Sequence, residues 1–398
     1  MKTSQYIILR DTSRIDLSEP FAGRAITTFR PLESPAPTVQ VESLSSRDMA
    51  DLRRDPTTLG IAPSMPFTLI EPTANEAAEP SAEPGVTWGV TVTGADKSPY
   101  TGKGVTVAVL DTGIDANHKA FQGVKIIQQD FTGEGDGDGN GHGTHCAGTI
   151  FGQVIDGFRF SIAPGVERAL IGKVLGSQGG GSTEQILRGI LWALDQGAHI
   201  ISMSLGMDFP GLVAALIQQG YPAEVATSLA LQDYRANVRL FDKLAELVFA
   251  RGSILQGSLI VAASGNESDR PEYELFVAPP ATADGIVSVG ALETTGEPHS
   301  TLKIARFSNT GPNVVAPGVK IYSTWKGGGY RNLNGTSMAT PHVAGIAALW
   351  AEKLLKQSGG VNPVQFSARL IGQARTDRLA AGFDPIDVGA GLVQAPLD

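Results

Sequence analysis

Val105-Thr-Val-Ala-Val-Leu-Asp111-Thr-Gly-Ile-Asp115 is the stretch that decides the fold of this 398-residue chain. Its apolar residues run without regular polar alternation, which predicts a strand of a parallel sheet that is covered on both faces. The strand ends at Asp111 and a glycine turn. Active sites of open α/β sheets lie at the carboxyl ends of the strands, so Asp111 is expected at a functional edge. The stretch therefore predicts an α/β fold.

Two further stretches carry residues suited to nucleophilic catalysis. Asp138-Gly-Asn-Gly-His142-Gly-Thr-His-Cys-Ala-Gly148 is a glycine-rich loop that enters a helix of small residues. Gly335-Thr-Ser337-Met-Ala-Thr-Pro-His-Val-Ala-Gly345 places a serine at the start of another such helix. The unpaired N–H groups at a helix N-terminus stabilise negative charge beside the serine. A serine nucleophile also needs a base, and His142 is the candidate.

These three motifs resemble those of the subtilisin family of serine endopeptidases. The order Asp, His, Ser distinguishes subtilisin from chymotrypsin and from the α/β-hydrolases. The resemblance extends from about residue 85 to the C-terminus. It implies that Ser337 is the nucleophile, that His142 is the general base and then acid, and that Asp111 orients the imidazole. It also implies a three-layer sandwich with a mostly parallel central sheet.

A fourth segment, Leu259-Ile-Val-Ala-Ala-Ser-Gly265-Asn266, is another apolar strand that ends at a polar turn. The resemblance implies that Asn266 donates its side-chain amide to the oxyanion, with Thr336 as a possible helper. Removing this donor from subtilisin itself raises the barrier by about 2.7–4 kcal/mol. Asn266 is therefore the predicted oxyanion donor.

Each of these residues also has an ordinary structural interpretation. Asp111 and Asn266 suit turns, and Ser337 suits a helix cap. His142 on its own would be an ordinary loop histidine. The catalytic interpretation depends on all four residues occurring together in family-like sequence contexts.

Two glycine-containing segments are expected to hold substrate. The resemblance implies that they flank an extended peptide, which binds through main-chain hydrogen bonds as an added strand. A first side-chain pocket is expected between the second segment and the turn before Asn266, with Ala278 near its floor. Because these segments lack charged residues, we expect an apolar or medium-sized residue before the scissile bond. The predicted substrate-binding residues are Gly179, Gly180, Gly181, Ser204, Leu205, Gly206, Ala263, Ser264 and Gly265.

The chain before residue 85 is expected to be a small α+β domain. Residues 5–10 predict a strand, residues 46–55 a helix capped by Ser46, and residues 66–71 a second strand. Residues 73–90 are rich in Pro, Ala and Glu and predict an exposed linker. The arrangement resembles the inhibitory propeptide of subtilisins, although a separate binding domain stays open. The predicted boundaries are propeptide 1–72, linker 73–90 and catalytic domain 91–398, with self-cleavage within 70–90 of a zymogen.

Composition limits the partners of this protein. The net charge of −9 argues against binding to nucleic acid or to an anionic membrane, and no apolar run is long enough to span a bilayer. The expected partners are a peptide or protein substrate and the chain's own propeptide as an intramolecular inhibitor. The first residues lack the apolar core of a signal peptide, and the single cysteine fits a reducing compartment. Cytoplasmic location is expected, with unconventional secretion as the alternative.

Cys146 lies one helical turn after His142. As a buried small hydrophobic residue it would have no catalytic role. The same His-Gly-Thr-His-Cys sequence occurs in the proteinase K-like branch of the family, where the resemblance implies that the thiol lies beneath the histidine. Thiol reagents could then inhibit the enzyme without cysteine-protease chemistry.

No cofactor is expected for catalysis, and calcium binding is left open. Many subtilisins bind calcium, but the corresponding residues 118–121 and 153–160 lack the expected oxygen ligands. Four carboxylates lie closer to the histidine loop, and their spacing permits either a calcium site or a solvated loop. They are Asp130, Glu134, Asp136 and Asp138.

A helical insertion is predicted at about 207–256, where the family needs only a short helix. A long helix is expected from Ala223 to Arg251, with Tyr234, Val238, Phe241, Ala245 and Val248 on one face. The insertion could restrict access to the cleft, recruit a partner or simply thicken the domain. One hypothesis is that it narrows specificity and makes this a processing protease.

The predicted function is a serine endopeptidase made as a self-inhibited precursor. The alternative is a non-hydrolytic interaction protein on a subtilisin scaffold. A third possibility, the related sedolisin-type acid peptidases, uses a glutamate as base. The histidine motif around His142 argues against it.

Overall fold

The computed structural model describes residues 4–11, 37–78, 84–252, 256–295 and 301–398. The strands are β1 (Ser4–Arg10), β2 (Thr38–Leu44), β3 (Thr58–Pro63), β4 (Pro66–Leu69), β5 (Ala74–Ala78), β6 (Gly85–Val86), β7 (Thr106–Asp111), β8 (Lys125–Asp130), β9 (Phe158–Arg159), β10 (Arg168–Lys173), β11 (Gly180–Ser182), β12 (Ile200–Met203), β13 (Leu205–Met207), β14 (Leu259–Ala263), β15 (Ile286–Thr295), β16 (Thr301–Ile304), β17 (Val314–Pro317), β18 (Ile321–Trp325) and β19 (Gly329–Asn334). The helices are α1 (Ser46–Leu52), α2 (Trp88–Val92), α3 (His142–Phe151), α4 (Thr183–Asp195), α5 (Phe209–Gln218), α6 (Ala223–Gly252), α7 (Thr336–Ser358), α8 (Pro363–Gly372) and α9 (Pro385–Val388).

The chain forms two compact units. The small unit consists of residues 1–65 together with 209–244, and the large unit consists of residues 66–208 together with 245–398. The division predicted from sequence differs, because it placed the insertion with the catalytic residues and residues 66–72 with the N-terminal ones. The predicted linker also differs, since its described residues include β5, β6 and the start of α2.

The small unit contains an antiparallel sheet in the order β2-β1-β3. In the central strand, Ile7, Ile8 and Leu9 are all buried. Successive side chains of a strand point to opposite faces, so both faces of this sheet are covered. The predicted strand at 5–10 is confirmed, and the predicted helix at 46–55 is present but ends at Leu52. The predicted cap is wrong: Ser45, not Ser46, caps α1 in a reciprocal capping box with Asp48.

The predicted insertion helix is confirmed as α6. Of its predicted apolar face, Phe241, Ala245 and Val248 are buried, while Tyr234 and Val238 are half-buried. Within the small unit, the Asn237 side-chain amide donates to the Pro63 carbonyl at 2.9 Å. Leu240 lies close to Gly60: a Cβ atom added to Gly60 would lie 2.8 Å from the Leu240 side chain. Residues 209–244 of the insertion and β3 therefore pack within one compact unit.

The large unit is built on a sheet in the order β16-β15-β14-β12-β7-β10-β8, with β17 also paired to β15. Every pairing is parallel except that of β15 with β16. The strand β7, which ends at Asp111, lies inside the sheet and is buried along its whole length. The α/β fold with a mostly parallel sheet, predicted from this strand, is confirmed.

Helix α7 packs against β12, β14 and β15. It is buried from Thr336 to Leu354, and its small residues allow this close contact. At Gly345, for example, a Cβ atom would meet Ile162 at 2.5 Å. An added methyl group there would overpack the core at a cost of about 1–3 kcal/mol. Tight packing thus fixes the helix whose first turn carries Ser337.

Across the described ranges, every helix is too short or too polar to cross a membrane.

Candidate active site

Asp111 and His142 meet at the edge of the large sheet, as predicted. Asp111 is the last residue of β7, and His142 is the first residue of α3. The His142 Nδ1 atom lies 2.8 Å from Asp111 Oδ1 and 3.0 Å from Oδ2. Because a carboxylate only accepts hydrogen bonds, the ring proton is assigned to Nδ1. The other ring nitrogen, Nε2, is then left as a proton acceptor.

Electrostatics favour the charged form of His142. Burial by itself would lower the pKa of this imidazole, but the charge of Asp111 outweighs burial and holds the pKa well above its ordinary value. The neighbouring His145 has no such partner, and burial lowers its pKa to about 3. Of these two adjacent histidines, His142 is the one suited to take up a proton.

The loop before His142 is shaped by the Asp138 carboxylate. Its two oxygens accept hydrogen bonds from Thr112 Oγ1, Asn140 N, Gly141 N, Thr144 N and Thr144 Oγ1, at 2.6–3.0 Å. The bonds therefore link the residue after Asp111 to the first turn of α3. Gly143 must lack a side chain, because a Cβ atom there would meet the Gly113 carbonyl oxygen at 2.2 Å. Sequence reasoning assigned Asp138 only to a possible calcium cluster and missed this role.

Ser337 lies in the first turn of α7, beside the Asp111–His142 pair. Its backbone carbonyl accepts from Ser204 Oγ at 3.2 Å and contacts Cys146 Sγ at 3.5 Å. The same sulfur lies 3.7 Å from His142 Nδ1. The Ser337 hydroxyl donates to the carbonyl oxygen of Ile70 at 3.0 Å. Among the described residues, the buried His142 Nε2 atom has no hydrogen-bond partner.

The Asn266 amide is oriented by Thr336. Its Oδ1 atom accepts from Thr336 N at 2.8 Å and from Thr336 Oγ1 at 2.9 Å. With the oxygen held in this way, Nδ2 points toward the cleft and donates to the Glu71 carbonyl at 2.8 Å. Thr336 was predicted only to assist at the oxyanion; in the structure it fixes the orientation of the Asn266 amide.

Cys146 is buried beneath the histidine, where the resemblance placed it. Burial raises the pKa of its thiol, which therefore stays protonated near neutral pH. Within the part of the chain that the structure describes, Asp111, His142 and Cys146 form the one group of three close potential metal ligands. Those residues have the hydrogen bonding of a proton-transfer site, so we assign them no metal.

Two of the carboxylates considered for calcium, Asp130 and Glu134, make hydrogen bonds within their own region. Asp130 accepts from the backbone N–H groups of Thr132, Gly133 and Gly135. Glu134 accepts from Ser177 and lies 3.2 Å from Lys173 Nζ. The oxygens are therefore already used within the loop. Around residues 118–121 and 153–160, which lack oxygen ligands in the sequence, aromatic rings pack together; they belong to Phe121, Phe158, Phe160, Tyr322 and Tyr330.

The two predicted substrate-binding segments flank an extended peptide, and that peptide belongs to the chain itself. Strand β4 lies between β11 and β13 and is antiparallel to both, with Thr68 opposite Gly180 on one side and Gly206 on the other. The Leu69 N–H group also donates to the Gly179 carbonyl at 2.8 Å. The strand position that the resemblance implied for a substrate in this cleft is thus occupied by residues 66–69.

The predicted first pocket contains Ile70, whose side chain is buried. A Cβ atom on Gly206 would lie 3.4 Å from the Ile70 side chain. On the other wall, Ala278 N donates to the Ser264 carbonyl at 3.1 Å, which ties the predicted floor residue to the segment Ala263–Gly265. An aliphatic side chain therefore fills the position expected to accept apolar residues.

Beyond Ile70 the chain continues through the cleft. The Thr73 N–H group donates to the Asn334 carbonyl at 2.8 Å, and β5 then pairs antiparallel with β19. The chain is thus held on both sides of Ser337. The resemblance implied that the N-terminal segment blocks the active site, but neither pairing was predicted, because nothing in residues 66–78 specifies distant partners.

The chain matches known proteins over most of its length. The sequence model of the subtilase family matches residues 102–388. M-protease from Shouchella clausii (strain KSM-K16) is 34% identical over 369 residues, which cover 90% of this chain and 78% of that protein. Subtilisin Savinase from Lederbergia lenta is 33% identical over 320 residues, covering 78% and 97% respectively. An intracellular serine protease from Paenibacillus polymyxa is 36% identical over 258 residues, covering 62% and 67%.

Sequence, fold and site therefore agree. The buried Asp111–His142 pair, a serine at the start of a buried helix and an adjacent amide donor lie at the edge of a mostly parallel sheet. Together with the match over 102–388, they identify the chain as a member of the subtilase family of serine endopeptidases.

Proposed function

We propose that this endopeptidase uses Asp111, His142 and Ser337 as its triad, and that residues 66–78 hold it inactive by occupying the cleft. The observation that carries the proposal is the hydrogen bond from Ser337 Oγ to the Ile70 carbonyl, within a segment paired to the cleft on both sides. The proposed substrates are other polypeptides, bound in the same extended form.

Each proposed role follows from hydrogen-bonding capacity. Ser337 attacks the carbonyl carbon while His142 Nε2 takes the hydroxyl proton, and His142 then returns that proton to the leaving amine. Asp111 keeps the Nδ1 proton in place and stabilises the imidazolium. The Asn266 amide donates to the oxygen as it gains negative charge. Water then releases the acyl group from Ser337 by the same steps.

The bound segment differs from a substrate in one respect. Attack requires that the same carbonyl lie in reach of both the nucleophile and the oxyanion donor. Here Ser337 contacts the carbonyl of Ile70, whereas Asn266 contacts that of Glu71, one residue further along. Neither the 70–71 bond nor the 71–72 bond therefore has both groups aligned.

We attribute the mismatch to the length of the connecting segment. Leu69 is fixed to Gly179 on one side, and Thr73 is fixed to Asn334 on the other. Ile70, Glu71 and Pro72 must bridge these two anchors. Self-cleavage near residue 70 would then require the chain to shift by one residue, which we propose makes it slow.

The test is to delete Pro72 and follow the intact mass of the purified chain over time. Removing one residue should let Ser337 and Asn266 contact the same carbonyl group. Cleavage after Ile70 should then become at least tenfold faster than in the wild type. Pro72→Ala is the matched control, because it removes the proline and keeps the length. It should behave like the wild type.

Two further results bear on the proposal. The deletion combined with Ser337→Ala should stay intact, since the nucleophile is missing. Equal cleavage rates for the deletion and the wild type would refute the register argument. If neither chain is cleaved and a fluorophosphonate fails to label Ser337 after removal of residues 1–78, the alternative of a non-hydrolytic interaction protein is favoured.

A further inference from the structure

The turn that carries Asn266 is braced by one side chain from the neighbouring loop. Asn309 follows β16 in the sequence and is almost fully buried, with an exposed fraction of 1%. Its backbone N–H donates to the Gly265 carbonyl at 3.1 Å. Asn309 therefore lies directly against the turn, on an element that contributes no proposed catalytic group.

Both ends of the Asn309 amide are used. Its Oδ1 atom accepts from Glu267 N at 3.2 Å, Ser268 N at 3.0 Å and Ser268 Oγ at 3.1 Å. Its Nδ2 group lies 2.7 Å from Glu267 Oε2 and reaches the Ser264 carbonyl at 3.2 Å and the Phe276 carbonyl at 3.3 Å. The side chain thus bonds to residues before and after Asn266 without bonding to Asn266 itself.

The backbone between these contacts is shaped to fit them. Gly265 has a φ of +115°, a conformation that favours glycine. A Cβ atom at Gly265 would also lie 2.2 Å from Asn309 Nδ2. The turn can follow this path only because position 265 lacks a side chain. The Asn309 side chain therefore packs directly against the backbone of Gly265, and this contact helps to set the backbone position of Asn266.

We propose that Asn309 is a positioning residue that acts on the reaction through Asn266. Thr336 fixes the rotation of the Asn266 amide, and Asn309 fixes the backbone from which that amide extends. An oxyanion donor works only when held within a fraction of an ångström of the developing charge, and a shift of about 1 Å can cost 100-fold in rate. The inference rests on the proposed role of Asn266 as the donor.

A merely structural Asn309 would also lower activity when mutated, so the test must separate the two roles. Double-mutant cycles do this, because residues that act through one another have non-additive effects. The variants are Asn309→Ala, Asn266→Ala and the double variant. Each is made in the full chain and incubated until its activity on a chromogenic peptide stops rising, and active sites are counted by titration. The kcat and KM values per active site are then compared.

We expect Asn309→Ala to lower kcat about 10- to 100-fold with less than a threefold change in KM. In the Asn266→Ala background, the same substitution should lower kcat less than twofold, because the donor it positions is gone. Asn313→Ala is the matched control. Asn313 bonds Ser288 N and Ser288 Oγ in much the same way, so its side chain braces β15 instead of the 263–268 turn. It should leave kcat per active site within twofold of the wild type.

Three results would overturn parts of this proposal in distinguishable ways. If Asn266→Ala leaves kcat unchanged, the donor assignment itself is wrong. If Asn266→Ala lowers kcat and Asn309→Ala lowers it by a further factor of ten or more, Asn309 does not act through Asn266. If Asn309→Ala does not fold, Asn309→Ser keeps a hydroxyl that can still bond to the turn, and its coupling to Asn266→Ala decides the question by the same criterion.

Discussion

Replacing Asp138 by asparagine should weaken both the fold and the reaction, because one carboxylate holds the whole turn before His142. Asp138 Oδ1 accepts three of its five hydrogen bonds, and Oδ2 accepts the bonds from Thr144 N and Thr144 Oγ1. In Asp138→Asn, one oxygen becomes an NH₂ group. If the amide oxygen keeps the three bonds at Oδ1, the new NH₂ group faces the Thr144 N–H group.

The size of the effect follows from these contacts. Two donors then face each other in a partly buried site, and the Thr144 N–H group loses its acceptor. An unsatisfied donor of this kind costs about 1–3 kcal/mol, and bonds to a charged group lie at the upper end. We therefore expect the free energy of unfolding to fall by about 2 kcal/mol and Tm to fall by several degrees. The kcat value should fall about tenfold, because the first turn of α3 carries His142.

Stability is best measured by calorimetry in a Ser337→Ala background, where self-digestion cannot occur. The kcat value is measured separately in the active enzyme and expressed per titrated active site. Asp136→Asn is the control, since this exposed neighbour makes none of these bonds and should change Tm by less than 1 °C. Unchanged Tm and kcat in Asp138→Asn would show that the turn holds its shape without the carboxylate. The assignment of Asp138 as the residue that holds this turn would then be refuted.

Three further predictions concern the same large unit. Because Asp111 raises the pKa of His142, activity should be full above that raised pKa and lost as pH falls through it. The substitution Asp111→Asn should lower kcat about 10⁴-fold and shift the acidic limb of the kcat–pH profile to lower pH. A chelator should change Tm by less than 1 °C in scanning calorimetry, because the Asp130 oxygens already bond to the loop; a drop of 5 °C or more, restored by calcium, would contradict this. Cys146→Ala should keep kcat within threefold and abolish inhibition by a mercurial reagent, because the thiol lies beside His142 without acting as nucleophile; persistent inhibition would point to another target.

The site could be predicted from sequence where its chemistry is local. Asp111 ends a strand, His142 and Ser337 lie in the first turns of helices, and Asn266 lies in the turn that follows a strand. Such motifs can be recognised in a sequence because a turn or a helix start depends on a few neighbouring residues. The parallel sheet was predictable for a related reason, since an uninterrupted apolar strand can be stable only when both faces are covered.

The parts that escaped prediction depend on partners far away in the chain. Pro66–Leu69 has the composition of an ordinary strand, and nothing in it specifies pairing with residues more than a hundred positions later. Asn309 is one polar residue in a loop, and its importance comes only from the turn it contacts. The insertion was recognised as a helix from its periodicity, but periodicity does not show which unit covers its apolar face.

The position of β4 also bears on how the proposed inhibition would operate. The main-chain groups that bind β4 are those proposed to bind a substrate, so residues 66–69 and a substrate of similar sequence would gain affinity from the same contacts. Tight binding alone would make this segment a good substrate. In the proposed mechanism, the segment keeps this affinity while Ser337 and Asn266 contact the carbonyls of two successive residues. On this proposal, the same cleft retains its own chain and cuts other chains that place one carbonyl within reach of both Ser337 and Asn266.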